Sequence, residues 1–386
     1  NRKAFFLLLL MLMALTGGTA RAQIKILHGP YLQNMGEHEV TLVWISDKPS
    51  VGWAELAPDD GTHFYAQERT RIYDTRIGIK NTTRIHTLRL TGLKPHTRYR
   101  YRVCVQEVVS HQGNRVRYGD IASTDVYGRE PLAFTTNDAS KASVAFAMVN
   151  DIHGQADMLD KMLGQCDWTA TDLVFFNGDM VSVSNSEEQM FSGFMDTAVK
   201  RFAGNVPLYY CRGNHETRGA MAPRFKDYFN PSSDELYYMS VKAGLLIVLD
   251  CGEDKPDSDV EYYGITAYDD YRTRQARWLE TALQSDLYRT APFKVVVCHM
   301  PPFGMAGELD IARKFIPLLN AARPDVYLTA HLHQYQRNEA GKEGVEFPLI
   351  VNANNTLLKA EADNHRLDIR IFDLDGRQTD RLLIEK

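Results

Sequence analysis

Between Val144 and Thr329 the chain repeats one pattern: a short, nearly all-apolar run, a polar cluster, then an amphipathic stretch. The runs are Val144–Val149, Leu173–Phe176, Pro207–Cys211, Leu245–Leu249, Lys294–Cys298 and Val326–Thr329. Each is only a few residues long and shows no polar face, so it reads as a strand covered on both sides. Between the runs, Met158, Leu159, Met162 and Leu163 recur at helical spacing, as do Trp278, Leu279, Ala282 and Leu283. Strands alternating with helices predict an α/β domain around a largely buried sheet.

Residues 24 to about 136 follow a different period. Val40-Thr41-Leu42-Val43-Trp44-Ile45 is β-branched and aromatic, and Asp47-Lys48-Pro49-Ser50 reads as a turn after it. Further on, Tyr99, Tyr101, Val103 and Val105 alternate with Arg98, Arg100, Arg102 and Cys104, the period of a strand. The arginines read as the wet face of that strand rather than a polyanion stripe. Leu93-Lys94-Pro95-His96-Thr97-Arg98-Tyr99 is similar to the tyrosine corner of immunoglobulin-like sandwiches. With Trp44, it makes residues 23–136 resemble an all-β, fibronectin type III-like sandwich. Ser110 to Glu130 is polar and reads as a loop insertion, and Thr135 to Ser140 as a linker to a second domain, residues 141–386.

The first 22 residues read as a secretory leader. Arg2 and Lys3 precede an unbroken apolar run from Ala4 to Leu15, and Ala20-Arg21-Ala22 offers small residues where a signal peptidase cuts. The run is too short to span a bilayer, and no later run is long enough to try. The expected location is periplasmic or extracellular. Cleavage removes three basic residues and no acids, which leaves 41 Lys+Arg against 49 Asp+Glu and a net charge of −8. That acidity, with no basic stripe, argues against a partner in bulk nucleic acid. Five scattered cysteines are too few for a disulfide scaffold and read either as buried thiols or as a bridge.

The polar clusters carry the chemistry. Asn150-Asp151-Ile152-His153 follows the first run, Asn177-Gly178-Asp179 the second and Arg212-Gly213-Asn214-His215-Glu216 the third. His299-Met300-Pro301-Pro302 and Ala330-His331-Leu332-His333 follow two others. Strand ends of open α/β sheets form a common crevice, so these groups are expected to converge. Of six histidines after residue 140, only His365 lies outside the clusters. Carboxylate, imidazole and one amide oxygen suit first-row transition metals, and seven candidate ligands exceed the needs of one ion.

The order D-x-H, G-D, G-N-H-E, H and H-x-H resembles the calcineurin-like metallophosphoesterases. With the preceding β-module, the purple-acid-phosphatase-like branch is the nearest likeness. The resemblance implies a four-layer α/β (α+β) sandwich and a centre of two transition-metal ions, Fe, Mn or Zn. It implies Asp151, His153 and His333 on one ion, Asn214, His299 and His331 on the other, and Asp179 bridging them. His215 would stand beside the metals as the catalytic acid or charge stabiliser for the leaving oxygen. Two ions roughly 3.5–4 Å apart can hold a hydroxide at neutral pH and clamp a phosphoryl group for in-line displacement. Only Asp151 and Asp179 bring negative charge, so such a site is positive within an acidic chain.

Two departures stand out. Purple acid phosphatases carry D-x-G first and a tyrosine three residues after the second aspartate, where this chain has His153 and Ser182. An imidazole is gained where a phenolate is lost, so a colourless enzyme is expected. Among the flanking residues, Arg212 and Arg218 read as surface arginines with phosphate contact as the alternative. Glu216 reads as orienting His215 or capping a helix. Glu253, Asp254, Asp257, Asp259 and Glu261 read as a solvated loop, or else as a site rim that disfavours polyanions. The function expected is an exported phosphomonoesterase acting on a small phosphoester. A phosphodiesterase on the same site is the alternative within the class, and a surface adhesion or glycan-binding protein with a vestigial enzyme domain the alternative outside it.

Overall fold

The computed structural model describes residues 22–138, 143–230, 235–241 and 245–386. The expected leader up to Arg21 and the end of the expected linker, Ala139-Ser140, lie outside these residues.

The six apolar runs are strands, each within one residue of its expected bounds. Their alternating side chains build three apolar layers. Val144, Phe146 and Met148 face Val248, Val295, Val297 and Leu328 between two sheets. The opposite face of the first sheet, with Ala147, Val149, Val174 and Phe176, packs on Leu159 and Met162 of the helix Ala156–Leu163 and on Phe191, Phe194 and Phe202. The outer face of the second sheet, with Ile247, Leu249 and Val296, packs on Leu279, Ile311 and Leu319 of three helices, Tyr268–Leu283, Ala306–Lys314 and Ile316–Ala322. The result is helix, sheet, sheet, helix: a four-layer sandwich.

In the first sheet Val144–Val149, Leu173–Asn177 and Leu208–Cys211 run parallel. Three antiparallel strands, Leu357–Ala362, Arg366–Phe372 and Gln378–Glu385, extend its other side. In the second, Leu245–Leu249, Lys294–Cys298, Val326–Thr329 and Leu349–Val351 run parallel. Parallel neighbours end level with one another, so the polar clusters leave both sheets at one edge.

Residues 24–135 form the antiparallel β-module. Trp44 is fully buried with Leu42, Leu90, Tyr101, Val103 and Phe134. The tyrosine corner is present, with Lys94 N donating to the Tyr99 hydroxyl at 2.9 Å. Three expectations need correction. Asp47–Ser50 is not a turn: one long strand, Glu39–Pro58, runs through it, and the pairing register slips between Ile45 and Ser50. The irregularity lets the first half pair with Ile26–Gln33 and the second with Arg98–Gln112. Ser110–Glu130 is not a loop throughout, because Arg115–Ser123 pairs with Arg98–Gln112 across the two-residue turn Gly113-Asn114. Gly113 takes φ +56°, as such a turn requires of its first residue. Nor are the arginines simply wet. Arg100 is buried and donates to Pro58 O and Thr62 O, while Arg102 donates to Thr124 O and Tyr65 Oη, so both clasp neighbouring loops. All five cysteines are free thiols, four of them buried.

Candidate metal centre

Three of the five strand-end clusters turn sharply as they leave their sheets. Asp151, His153, Asp179, His331 and His333 all have left-handed backbones, with φ between +50° and +72°. Asp and His tolerate this region better than most residues, but it remains a strained geometry typical of functional sites. Cross-links hold the turns: Asp151 N donates to Gly178 O at 2.9 Å, His153 N to Asp179 O at 3.0 Å, and Ala330 N to His299 O at 2.8 Å. At Gly178 (φ +79°) a Cβ would stand 2.5 Å from His299 Nδ1 and 2.6 Å from Gly213 Cα, so only glycine lets the three loops close up.

The structure brings all seven expected ligands and His215 together. Asp151 Oδ2 accepts from Asn150 Nδ2 at 2.8 Å and His331 N at 3.1 Å, which leaves Oδ1 inward, 3.3 Å from His333 Nε2. Asp179 Oδ1 accepts from His215 N at 2.9 Å, which leaves Oδ2 inward, 3.1 Å from His299 Nε2. His299 Nδ1 donates to Asn177 O at 2.7 Å, so its Nε2 faces the carboxylates. His153 Nε2 lies 3.2 Å from His333 Nε2, and its Nδ1 is 3.4 Å from the Ser182 hydroxyl. One end of the Asn214 amide is 3.3 Å from Asp179 Oδ2 and 3.1 Å from His331 Nδ1.

These donors fit cations. Asp151 Oδ1 and His299 Nε2 are buried and lack a well-aligned hydrogen bond, although each stands among ring nitrogens and carboxylate oxygens. Three sets have ligand atoms within 4.8 Å of one another: Asp151, His153 and His333; His153, Asp179 and His215; and Asp179, His299 and His331. The electrostatics agree. Burial opposes a charge on His299, but Asp179 and Asp151 outweigh it and push the imidazole up to about 10. Burial likewise resists the charge on Asp179, yet His299 beside it holds the carboxyl well below its usual range. A proton on His299 thus supplies the positive charge that two facing carboxylates demand. Burial pushes His153 down, whereas Asp151 beside His333 pushes that imidazole up.

The flanking residues differ from expectation. Neither arginine is a free surface group: Arg212 is buried and paired with Asp250 at 2.9 Å, and Arg218 is gripped by Glu253 at 2.9 Å and Asp254 at 3.2 Å. Glu253 is accordingly buried rather than solvated, because its oxygens also accept from Thr217 and Tyr262. Glu216 neither orients His215 nor caps a helix. Its carboxylate accepts from Asp179 N (2.9 Å), Met180 N (2.7 Å), Gly213 N (2.8 Å) and Tyr210 Oη (2.9 Å), stapling two clusters together. Sequence reasoning passed over Asn352, whose amide donates to Asn150 Oδ1 at 2.7 Å, and Glu308, whose carboxylate lies 3.2 Å from His331 Nε2. Asn352 directly follows the strand Leu349–Val351, an apolar run too short to stand out, whereas Glu308 lies inside a helix and no local signal marks it.

Comparison with known proteins places this geometry. The calcineurin-like phosphoesterase family profile matches residues 144–335, and that of the purple acid phosphatase N-terminal domain matches residues 29–117. Purple acid phosphatase 21 of Arabidopsis thaliana is 25% identical over 276 residues, which cover 67% of this chain and 54% of that protein. An uncharacterized protein of Mycobacterium tuberculosis is 25% identical over 312 residues, 73% of this chain and 55% of its own. The chain therefore spans about half the length of the curated relatives it matches. The structure of a purple acid phosphatase from yellow lupin (Lupinus luteus) seeds superposes with a TM-score of 0.66 at 14% identity, over 92% of this chain and 74% of that one, a likeness of fold. With both of its modules matched in order, the chain belongs to the calcineurin-like metallophosphoesterases, in the branch that carries a purple acid phosphatase N-terminal domain.

Proposed function

We propose that the chain is an exported, two-metal phosphomonoesterase. The observation that carries the reading is the convergence of two buried carboxylates, four imidazoles and an amide from five strand ends, their free atoms facing one another. Asp151, His153 and His333 would hold one ion, Asn214, His299 and His331 the other, and Asp179 both. Bound divalent ions supply Lewis-acid charge to phosphoryl oxygens and a nucleophile at neutral pH.

The remaining work falls to His215. Its Nδ1 donates to Ser182 O at 2.7 Å, which leaves Nε2 3.8 Å from Asp179 Oδ2 on the half-exposed side of the cluster. Nε2 is placed to give a proton to a leaving oxygen, and the Arg218 guanidinium 3.4 Å away stabilises charge there. The names of the plant relatives support a monoesterase, and the apolar run Ala4–Leu15 supports export. Among the described residues no helix is long and apolar enough to cross a membrane.

Purified protein loaded with Zn, Mn or Fe is expected to hydrolyse aryl and alkyl phosphomonoesters and to lose activity on chelation. Asp179→Asn is expected to cost at least ~100-fold in kcat, because a displaced ligand misplaces the reacting groups. The iron-loaded form is expected to be colourless, since Ser182 stands where the phenolate would. Turnover confined to diesters, or activity unchanged in Asp179→Asn, would overturn the reading.

A further inference from the structure

Glu308 is outside the ligand set, yet it is 1% exposed. A carboxylate is buried at a cost unless something pairs with it. Its Oε2 has no hydrogen-bond partner, and its Oε1 lies 3.2 Å from His331 Nε2. Two glycines deliver it there. Gly307 N donates to Asp254 O at 2.7 Å, and a Cβ at Gly307 would fall 2.2 Å from Glu253 O, so only glycine lets the helix start this close. Gly304, at φ +137°, would bring a Cβ within 3.0 Å of Glu308 Oε1.

A carboxylate only accepts, so the ring nitrogen facing it must carry the proton. Neutral His331 then has its lone pair on Nδ1, the atom 3.1 Å from the end of the Asn214 amide that also lies 3.3 Å from Asp179 Oδ2. We propose that Glu308 is a positioning residue of the metal centre, holding His331 in the tautomer that presents Nδ1 to the ion. The inference rests on the two-metal reading above. His299, assigned to the same ion, is set the opposite way: a backbone carbonyl takes its Nδ1 proton and Nε2 faces inward. One ion would thus be held by two imidazoles through different nitrogens, each chosen by the acceptor behind it.

The test uses the full chain, with Glu308→Gln and Glu308→Ala, and two readouts. In metal-free protein labelled with 15N in its imidazoles, His331 is expected to be protonated on Nε2 in the wild type and in Glu308→Gln, whose amide oxygen still accepts. In Glu308→Ala the two tautomers are expected to mix. Zn²⁺ affinity is expected to fall 10–100-fold in Glu308→Ala and to recover in part in Glu308→Gln. A wild-type His331 protonated on Nδ1, or a Glu308→Ala variant with unchanged tautomer and affinity, overturns the proposal. If Glu308→Ala does not fold, the wild-type and Glu308→Gln spectra still decide. A wild type that binds no metal while His331 keeps its Nε2 proton sinks the two-metal reading and leaves the tautomer assignment standing.

Discussion

His215 has Nδ1 committed to the Ser182 carbonyl, and its Nε2 stands on the half-exposed side of the cluster, 3.4 Å from Arg218 Nη1 and 3.8 Å from Asp179 Oδ2, where a leaving oxygen would pass. General acid catalysis is worth about 10²–10⁴-fold. His215→Ala is therefore expected to lose that much kcat on alkyl phosphates and far less on nitrophenyl phosphate, whose leaving group needs no proton. Equal losses on both substrates would mean that His215 does not act as the acid. Most of this residue-scale chemistry was legible in the sequence, because ligand types stand directly after apolar strands. What sequence reasoning could not see was which groups hold the ligands. Glu216, Asn352 and Glu308 act through contacts set by the packing of two sheets, and a carboxylate that staples backbone amides looks in sequence like one that caps a helix.

Elements were legible where both faces of a strand are buried and the apolar run is four residues or longer; Leu349–Val351, buried throughout, was too short to stand out. Leu357–Ala362, Arg366–Phe372 and Gln378–Glu385 escaped notice because they carry charges on one face, although Leu367, Ile369 and Ile371 alternate into the inter-sheet core. Helix positions can be tested through one ion pair. Arg272 of the helix Tyr268–Leu283 meets Asp310 of the helix Ala306–Lys314 at 2.7 Å, both nearly out of solvent. Burial resists the charge on Asp310, but Lys314 and Arg272 prevail and hold its carboxyl below the usual range. A depressed carboxyl stabilises the fold above its unfolded pKa of about 3.9, and that contribution disappears as pH falls through the lower folded value. Asp310→Asn is expected to cost about 2 kcal/mol at pH 7, since Arg272 loses a buried charge partner and is left with Asp269 at 3.0 Å and the carbonyls of Cys251 and Glu253. Urea titrations should show the gap from wild type narrowing below pH 4. A gap of constant size would show that the pair is not what couples these helices.

Across the whole molecule, the β-module is tied to the metal-bearing half. Tyr31, Val43 and Ile45 belong to the same buried cluster as Phe191, Phe194 and Phe229. The Tyr31 hydroxyl donates to Tyr228 O at 2.9 Å and the Tyr101 hydroxyl to Gly204 O at 2.6 Å. Shared apolar surface makes the halves cooperative, so calorimetry is expected to show one unfolding transition. Tyr31→Ala, which opens a cavity where an aromatic ring was, is expected to lower the whole transition by about 3–5 kcal/mol. A split into two transitions would show instead that the halves unfold separately.

The five left-handed residues around the ligands have a consequence for any attempt to toughen this protein. An L-residue held there costs of order 1–3 kcal/mol, a penalty glycine escapes. A library screened for heat resistance without metal, and without an assay of turnover, would therefore enrich glycine at His153 and His333, whereas Asp151, Asp179 and His331 are held by the buried groups they pair with. The survivors would be hardier and inert. Selection for endurance and selection for catalysis pull these positions in opposite directions, and a screen has to apply both at once.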